Sequence, residues 1–438
     1  MKKKLPLVPP TRFYLLFLAA LFLLRLAFGL CTEIWFIDQQ QIYLIGLKFF
    51  STGQWPYFGP DVAANIQLPG ALQGLVVGLP LYLCPIPEAP YILLNLLSFA
   101  GLCLFAEYCS RRLPKFPKWI IYTWLLTAPW VMNWSTNIDN DSYVIFGSCL
   151  FFIGFMETIP ALTLKLVPPS LANFLMGFAL LWNAQFHMSY VILLPFVLVS
   201  FYFQLKAKDL KIAQPILFFA TGALTTGFFI LPTLLKYGLS QGSGGASNAV
   251  TFNPQNFLSF PDLLVRYFGL GSCEILRFIG ANNSDRWGFL TNNWWVAPFA
   301  MVAIVLGLIQ GVTLFLSLFR KKHSEKSWKN IKLLTLLTFA LLYVSFLFSI
   351  KAPAAHTYYL VLPVVMLYGF YVFIPWIGKK WFLTTAKVLL ACNILFHIGL
   401  AMNNLPVKSL YKDRGLFVKA IEEKNYHLLG ERRPDTLY

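Results

Sequence analysis

The sequence predicts an all-α polytopic membrane protein, and its composition gives the first reason. Of the 438 residues, 58% are hydrophobic and only 12% are charged, whereas a soluble domain carries about 25% charged residues. Apolar runs of about 20 residues recur along the chain, which is the length that a helix needs to cross a bilayer. These runs are too long and too continuous for the strands of a transmembrane barrel.

The distribution of charge supports the same class. The formal net charge is +17, but the basic residues cluster in short loops between apolar runs, as the positive-inside rule requires. We therefore expect no nucleic-acid partner. The seven cysteines are scattered without metal-ligand spacing, so the sequence predicts neither a zinc site nor a disulfide framework.

Placing the basic loops in the cytoplasm predicts a cytoplasmic N-terminus and about eleven transmembrane helices. The segment 70–86 is the exception, because it is short and interrupted by three glycines and Pro80. We interpret it as an interfacial or re-entrant part of a long outer loop; if it crosses, the number is twelve. The predicted spans are approximately 13–30, 89–108, 119–134, 143–159, 171–184, 189–205, 216–235, 296–319, 331–349, 357–376 and 381–400.

This topology gives one transmembrane domain over residues 1–401 and an amphipathic C-terminal tail over residues 402–438. The outer loops are expected to carry interfacial helices. They cover approximately residues 31–88, 133–142, 236–295 and 350–356.

Two outer loops bring carboxylates to the membrane surface. Asp38 lies in the first, and Asp139 and Asp141 lie in the second. A transferase with a hydroxyl acceptor needs a general base, and a second carboxylate can orient the acceptor or shift the pKa of the base. The alternative for any one of these residues is a solvated loop carboxylate, and the sequence leaves that alternative open.

The few basic residues of the outer loops suit a phosphate group. Arg266, Arg286, Lys351 and His356 belong to this set, and the planar fork of arginine binds phosphate through paired, charge-assisted hydrogen bonds. The alternative is that these residues anchor the chain at the membrane interface. His187 could donate to a phosphate or shuttle a proton. A divalent cation is compatible with the acidic loops, but ligand spacing does not indicate one, so neither a cofactor nor a metal site is predicted.

A series of motifs begins at Asp38. Gln39 and Tyr43 follow it, and the turn Thr52-Gly53-Gln54-Trp55 comes after a further apolar stretch. This order resembles the first outer loop of the GT-C class of membrane glycosyltransferases, with the protein O-mannosyltransferases and the lipid A aminoarabinose transferases as the nearest families. That class usually has Asp-Glu where this chain has Asp38-Gln39, so the base is kept and the second acid is replaced.

Three later stretches extend the resemblance, which covers about the first 200 residues and the segment 350–365. Pro69-Gly70 partly matches the Pro-Pro-Leu element of the class. Residues 137–142 stand where the class carries the aspartate of its second loop. Residues 356–363 resemble its late Tyr-Tyr-Leu-x-x-Pro element near the lipid-phosphate site.

The resemblance implies an inverting glycosyltransferase in a bacterial inner or plasma membrane. It would use a polyprenyl-phosphate sugar donor and a glycan, lipid or protein acceptor at the outer face, among membrane lipids. Asp38 would be the base, with Asp141 or Asp139 beside it. The remaining candidates are Arg266, Arg286, Lys351, His356 and Tyr359 for the donor phosphate, and Gln39, Tyr43, Gln185 and His187 for the acceptor.

The alternative function is a transporter or flippase of a lipid-linked saccharide. Ion-coupled transporters usually place ionisable residues or broken helices at the middle of the membrane. The apolar runs carry almost no such residues apart from Arg25 and Glu107, near helix ends. This composition counts against a pump or symporter but not against a flippase.

Overall fold

The structure is a computed structural model, and it describes most of the chain. The described residues are 12–33, 37–62, 66–206, 213–238, 251–269, 274–280, 282–320, 326–349, 355–407, 410 and 430. They form a helical protein with one small antiparallel hairpin, in which Asp61 pairs with Gln67 and Val62 with Ile66.

The helices and strands follow one another along the chain in a simple order. They are α1 (Arg12–Cys31), α2 (Ile37–Thr52), β1 (Phe58–Val62), β2 (Ile66–Pro69), α3 (Leu72–Leu83), α4 (Ala89–Arg112), α5 (Lys118–Thr127), α6 (Pro129–Trp134), α7 (Val144–Thr158), α8 (Pro169–Phe186), α9 (Leu194–Lys206), α10 (Ala213–Gly227), α11 (Leu231–Tyr237), α12 (Phe260–Gly269), α13 (Ile275–Ile279), α14 (Asn283–Asn292), α15 (Ala297–Ser317), α16 (Lys326–Leu347), α17 (Leu362–Phe373) and α18 (Lys380–Asn404).

The chain is an integral membrane protein. Among the described residues, seven helical segments are long and apolar enough to cross a membrane. The other four predicted spans are shorter, interrupted or more polar, so the number eleven is not confirmed. The seven segments are Arg12–Cys31, Ala89–Arg112, Met188–Lys206, Ala213–Tyr237, Ala297–Ser317, Trp328–Leu347 and Lys380–Asn404.

Proline explains the clearest difference from the predicted helices. The predicted span 119–134 is divided into α5 and α6 at Ala128, whose ψ of 141° lies outside the helical region. Pro129 follows, and a proline both lacks an N–H and disfavours helical geometry at the preceding residue. The last carbonyl groups of α5 therefore need hydrogen-bond donors from elsewhere in the protein.

The segment between α1 and α4 contains α2, the hairpin and α3. Helix α3 has 12 residues, or about 18 Å of helix, which is less than the roughly 30 Å of a bilayer core. Its glycines bring it close to α2, since a Cβ at Gly78 would lie 2.7 Å from the carbonyl oxygen of Gly46. The glycines that suggested an interrupted helix thus allow α3 to pack closely against α2.

The C-terminal tail lies mostly outside the described residues, but two of its residues show where it runs. The N–H of Leu410 donates to the carbonyl of Leu30 at 3.2 Å, and the N–H of Phe58 donates to the carbonyl of Gly430 at 3.1 Å. The tail therefore contacts the end of α1 and strand β1, on the same side of the protein as the 31–88 segment.

Candidate active site

The two predicted acidic loops meet in the structure. Gln39 Nε2 donates a hydrogen bond to Asp139 Oδ2 at 2.6 Å, although the residues are 100 positions apart. Asp38 directly precedes Gln39 in the first turn of α2, and its side chain lies outside the described part of the chain. The backbone of the predicted base thus stands next to the contact between the loops.

Two further hydrogen bonds join the same loops behind this contact. Asn137 Nδ2 donates to the carbonyl of Thr32 at 3.3 Å, and the N–H of Ile138 donates to Glu33 Oε2 at 3.4 Å. Glu33 is fully buried, so its carboxylate accepts this hydrogen bond inside the protein and not at the surface. The chain that leaves α1 is therefore held against the loop that follows α6.

Gly29 allows this approach. A Cβ at Gly29 would lie 2.3 Å from the carbonyl oxygen of Thr136, and a backbone atom cannot move aside as the end of a flexible side chain can. We expect Gly29→Ala to cost about 1–3 kcal/mol of unfolding free energy, as overpacking does, and to lower the temperature of thermal unfolding.

Gly288→Ala is the matched control for that substitution. Gly288 is also helical, and a Cβ there would have nothing within 4 Å. The close contact at Gly29 would be contradicted if both variants unfold at the temperature of the unmodified protein.

Asp139 and Asp141 are both buried, with exposed fractions of 8% and 3%. Asp139 Oδ1 accepts from the N–H of Asn140 at 2.7 Å, so each oxygen of this carboxylate has a donor. Asp141 begins a 3₁₀ turn that ends at Tyr143 and leads into α7. This backbone path explains how two aspartates separated by one residue both stay inside the protein.

His187 faces Asp141 from the end of α8. Its Nε2 lies 3.6 Å from Asp141 Oδ1, which is longer than a direct hydrogen bond. Its Nδ1 accepts from the N–H of Ser189 at 3.1 Å. Because Nδ1 is an acceptor, the proton of the neutral ring belongs on Nε2, on the side of Asp141.

Two other predicted acceptor-binding residues form bonds within the scaffold. The hydroxyl of Tyr43 donates to the carbonyl of Pro87 at 3.3 Å. Gln185 Nε2 donates to the carbonyls of Leu181 and Thr226, at 3.1 and 2.9 Å. Both side chains are buried, and a direct acceptor contact from either remains a prediction.

The predicted phosphate ligand Arg266 already has acidic partners. Its Nη1 lies 3.1 Å from Asp262 Oδ2, and its Nε lies 3.9 Å from Glu274 Oε1. Arg277 Nε lies 3.4 Å from the other oxygen of Glu274. Burial raises the pKa of Glu274, and the guanidinium groups of Arg277 and Arg266 oppose this rise.

The other predicted phosphate ligands are scattered or only partly described. Arg286 Nε donates to the carbonyls of Leu276 and Gly280, at 3.1 and 3.0 Å, and so organises the turn before α14. The hydroxyl of Tyr359 donates to the carbonyl of Trp130 in α6. Lys351 and the side chain of His356 lie outside the described residues.

The sequence reading missed one buried group beside α6. His397 of α18 is fully buried, with Nδ1 2.6 Å from the carbonyl of Asn393 and Nε2 3.2 Å from Asn133 Nδ2. Since Nδ1 must donate to the carbonyl, Nε2 accepts from Asn133. The sequence did contain a sign of this group: His397 lies inside an apolar run, and an ionisable residue in such a run usually has a specific partner.

Metal ligands do not cluster in the described part of the chain. Over those residues, no group of three or more His, Cys, Asp or Glu side chains is placed to hold a metal ion. The acidic site is built from Asp139, Asp141, His187 and the amide of Gln39.

The fold is similar to that of a solved membrane protein, so the resemblance suggested by the motifs is confirmed at the level of the fold alone. That solved structure is the crystal structure of ArnT from Cupriavidus metallidurans bound to undecaprenyl phosphate. The TM-score is 0.56 and the identity 10%, over 94% of this chain and 79% of that one. No family model and no curated relative matches the sequence.

Proposed function

We propose that this protein transfers a sugar from a polyprenyl-phosphate donor to a hydroxyl acceptor at the outer membrane face. The observation that carries the proposal is the bond between Gln39 and Asp139, which puts the loop of Asp38 against the buried aspartates. The neighbouring fold of ArnT binds undecaprenyl phosphate, and we assign the same class of lipid to this chain. The acceptor is a glycan, a lipid or a protein.

The proposed reaction is a single displacement with inversion. Asp38 accepts the proton of the acceptor hydroxyl, whose oxygen attacks the anomeric carbon on the face opposite the phosphate. The bond between that carbon and the phosphate oxygen breaks, and polyprenyl phosphate leaves with the electron pair. Asp139 or Asp141 orients the acceptor, and His187 supports Asp141 from 3.6 Å.

The donor phosphate is assigned to the ligands predicted from the sequence, of which Arg266 is the one argued from the structure. Arg266, Arg286, Lys351, His356 and Tyr359 are its proposed ligands. The carboxylate of Asp262 is 52% exposed, so it can turn towards water when Arg266 binds phosphate. A guanidinium that exchanges one oxyanion for another keeps its charge-assisted hydrogen bonds throughout.

The proposed orientation follows from the basic loops. The N-terminus lies in the cytoplasm and the acidic site faces outward, in a bacterial inner or plasma membrane. The C-terminal tail shares the side of the 31–88 segment, because Leu410 and Gly430 bond to Leu30 and Phe58.

Mass spectrometry of glycolipids and glycans, from cells with and without this protein, tests the proposed function. We expect cells lacking it to lose one sugar from a defined molecule and to retain the polyprenyl-linked sugar. In vesicles, the purified protein should release polyprenyl phosphate from that donor. Movement of the intact donor across the bilayer without cleavage would instead establish the flippase, and unchanged glycans together with an uncleaved donor would refute the transferase.

A further inference from the structure

A positively charged side chain is buried inside the first membrane-spanning helix. Arg25 belongs to α1, whose 20 residues are otherwise almost entirely apolar, and it is 0% exposed. A charged residue within a spanning helix is costly, up to about 2.5–3.5 kcal/mol at the helix centre on insertion scales. A residue of this kind usually has a specific partner and a specific role.

The partners of Arg25 are all uncharged. Nη1 donates to the carbonyl of Leu126 at 2.9 Å. Nη2 donates to Ser98 Oγ at 3.0 Å and to Ser135, at 2.8 Å for its Oγ and 3.3 Å for its carbonyl. Among the described residues, neutral hydrogen-bond acceptors and not an ion pair therefore hold this guanidinium.

The bonded groups flank the short helix α6 on both sides. Leu126 is in the last turn of α5, just before the break at Ala128, and Ser135 caps the C-terminal end of α6. Both carbonyls are the kind that a helix end leaves without a donor and with partial negative charge. One planar guanidinium reaches the two carbonyls with two different nitrogens, Nη1 and Nη2, held in a fixed geometry, whereas a lysine has a single nitrogen.

The acidic loop begins where Arg25 binds. Asp139 and Asp141 lie four and six residues after Ser135. Ser98 Oγ also donates to the carbonyl of Ser135 at 3.0 Å, so α1 and α4 hold this point together. Fixing Ser135 thus fixes the start of the segment that carries both aspartates to Gln39.

We propose that Arg25 is a positioning residue for the acidic site. Its fork joins the end of α5 to the C-terminal end of α6 and so sets where Asp139 and Asp141 stand relative to Gln39. Arg25 does not touch the reacting atoms; it acts through the backbone at Ser135. The effect on catalysis rests on the proposed function, whereas the effect on the loop does not.

Arg25→Lys tests this role and has a matched control in Arg112→Lys. Arg112 is also buried, but its Nη1 donates to Tyr108 at 2.6 Å and its Nη2 to the carbonyl of Leu162. It lies at the C-terminal end of α4, 14 residues from Ser98, or about 21 Å along the helix. Both variants keep the positive charge and lose the fork.

The first readout is hydrogen–deuterium exchange of the peptide covering residues 135–141, in nanodiscs. We expect Arg25→Lys to speed its exchange by about tenfold or more, since a lost hydrogen bond to a charged group opens the segment it held. Arg112→Lys should leave that exchange unchanged. Equal exchange in the two variants, whether both slow or both fast, overturns the proposal. This readout decides the matter even if the protein transfers no sugar.

The second readout separates turnover from binding. In Arg25→Lys we expect kcat to fall about tenfold, while KM for the polyprenyl-phosphate donor stays within about twofold, because misplaced aspartates affect the reaction more than the lipid contact. In Arg112→Lys the folded fraction should retain full kcat. An unchanged kcat in Arg25→Lys overturns the positioning role in catalysis. Absence of transfer in the unmodified protein counts against the proposed function alone.

Discussion

Replacing Asp38 with asparagine is expected to lower turnover by about 10²- to 10⁴-fold, the usual contribution of a general base. The amide has the size of the carboxylate but cannot accept the proton of the acceptor hydroxyl. Folding and donor binding should change little, because the substitution adds no volume. The measurement is the initial rate of polyprenyl phosphate release, together with thermal unfolding and donor binding.

Asp285→Asn is the control for that experiment. Asp285 is an exposed carboxylate in the first turn of α14, and the proposed mechanism gives it no role. It should therefore retain the rate of the unmodified protein. If Asp38→Asn turns over at that rate as well, Asp38 is not the base.

Replacing Gln39 with glutamate is expected to have the second largest effect, on stability and on its pH dependence. The substitution would set a second carboxylate against Asp139 Oδ2, where an amide now donates at 2.6 Å. Near pH 8 we expect a loss of about 1.5–3 kcal/mol, because a hydrogen bond to a charged group is removed and a like charge takes its place.

The sign of the pH dependence follows from the carboxylate pair in that variant. Two adjacent carboxylates raise the pKa of one of them above the unfolded value of about 4.3. Once the introduced carboxyl group is protonated, it can donate to Asp139 as the amide did. The deficit should therefore be absent below about pH 4 and should grow as the pH rises through the raised folded pKa. Chemical unfolding between about pH 4 and 8 measures it.

The double variant with Gln39→Glu and Asp139→Asn exchanges the amide and the carboxylate between the two positions without changing the net charge. The amide then stands at position 139 and can donate to the carboxylate at position 39, so most of the stability at pH 8 should return. A double-mutant cycle gives the coupling energy directly. Additive effects would mean that the two side chains do not interact in solution.

Local sequence features predicted the helices well where a helix is defined by its own apolar run. The predicted spans 13–30 and 381–400 correspond to α1 and α18 within a few residues. Pro129 marked the division of α5 from α6 in the sequence, but the length of the apolar run concealed it. The exact number of spans could not be predicted, because it depends on where each helix lies in the bilayer.

The candidate site was predicted in part, as two loops expected to carry acids on one side. The partner of Asp139 could not be read from the sequence, because Gln39 lies 100 residues away. The pair of Arg266 with Asp262 was visible as a spacing of four residues on one helix. The contact between Arg266 and Glu274 could not be predicted, because it depends on the path of the chain after α12.

The hydrogen bonds of the tail have a consequence for the order in which the site is assembled. Leu30 and Phe58 are synthesised early, whereas their partners Leu410 and Gly430 follow α18 in the sequence. Domains generally begin to fold as they are made, yet Leu30 and Phe58 cannot form these two bonds until α18 has been synthesised. The packing of α1 and β1 is thereby completed by residues that follow α18 in the sequence.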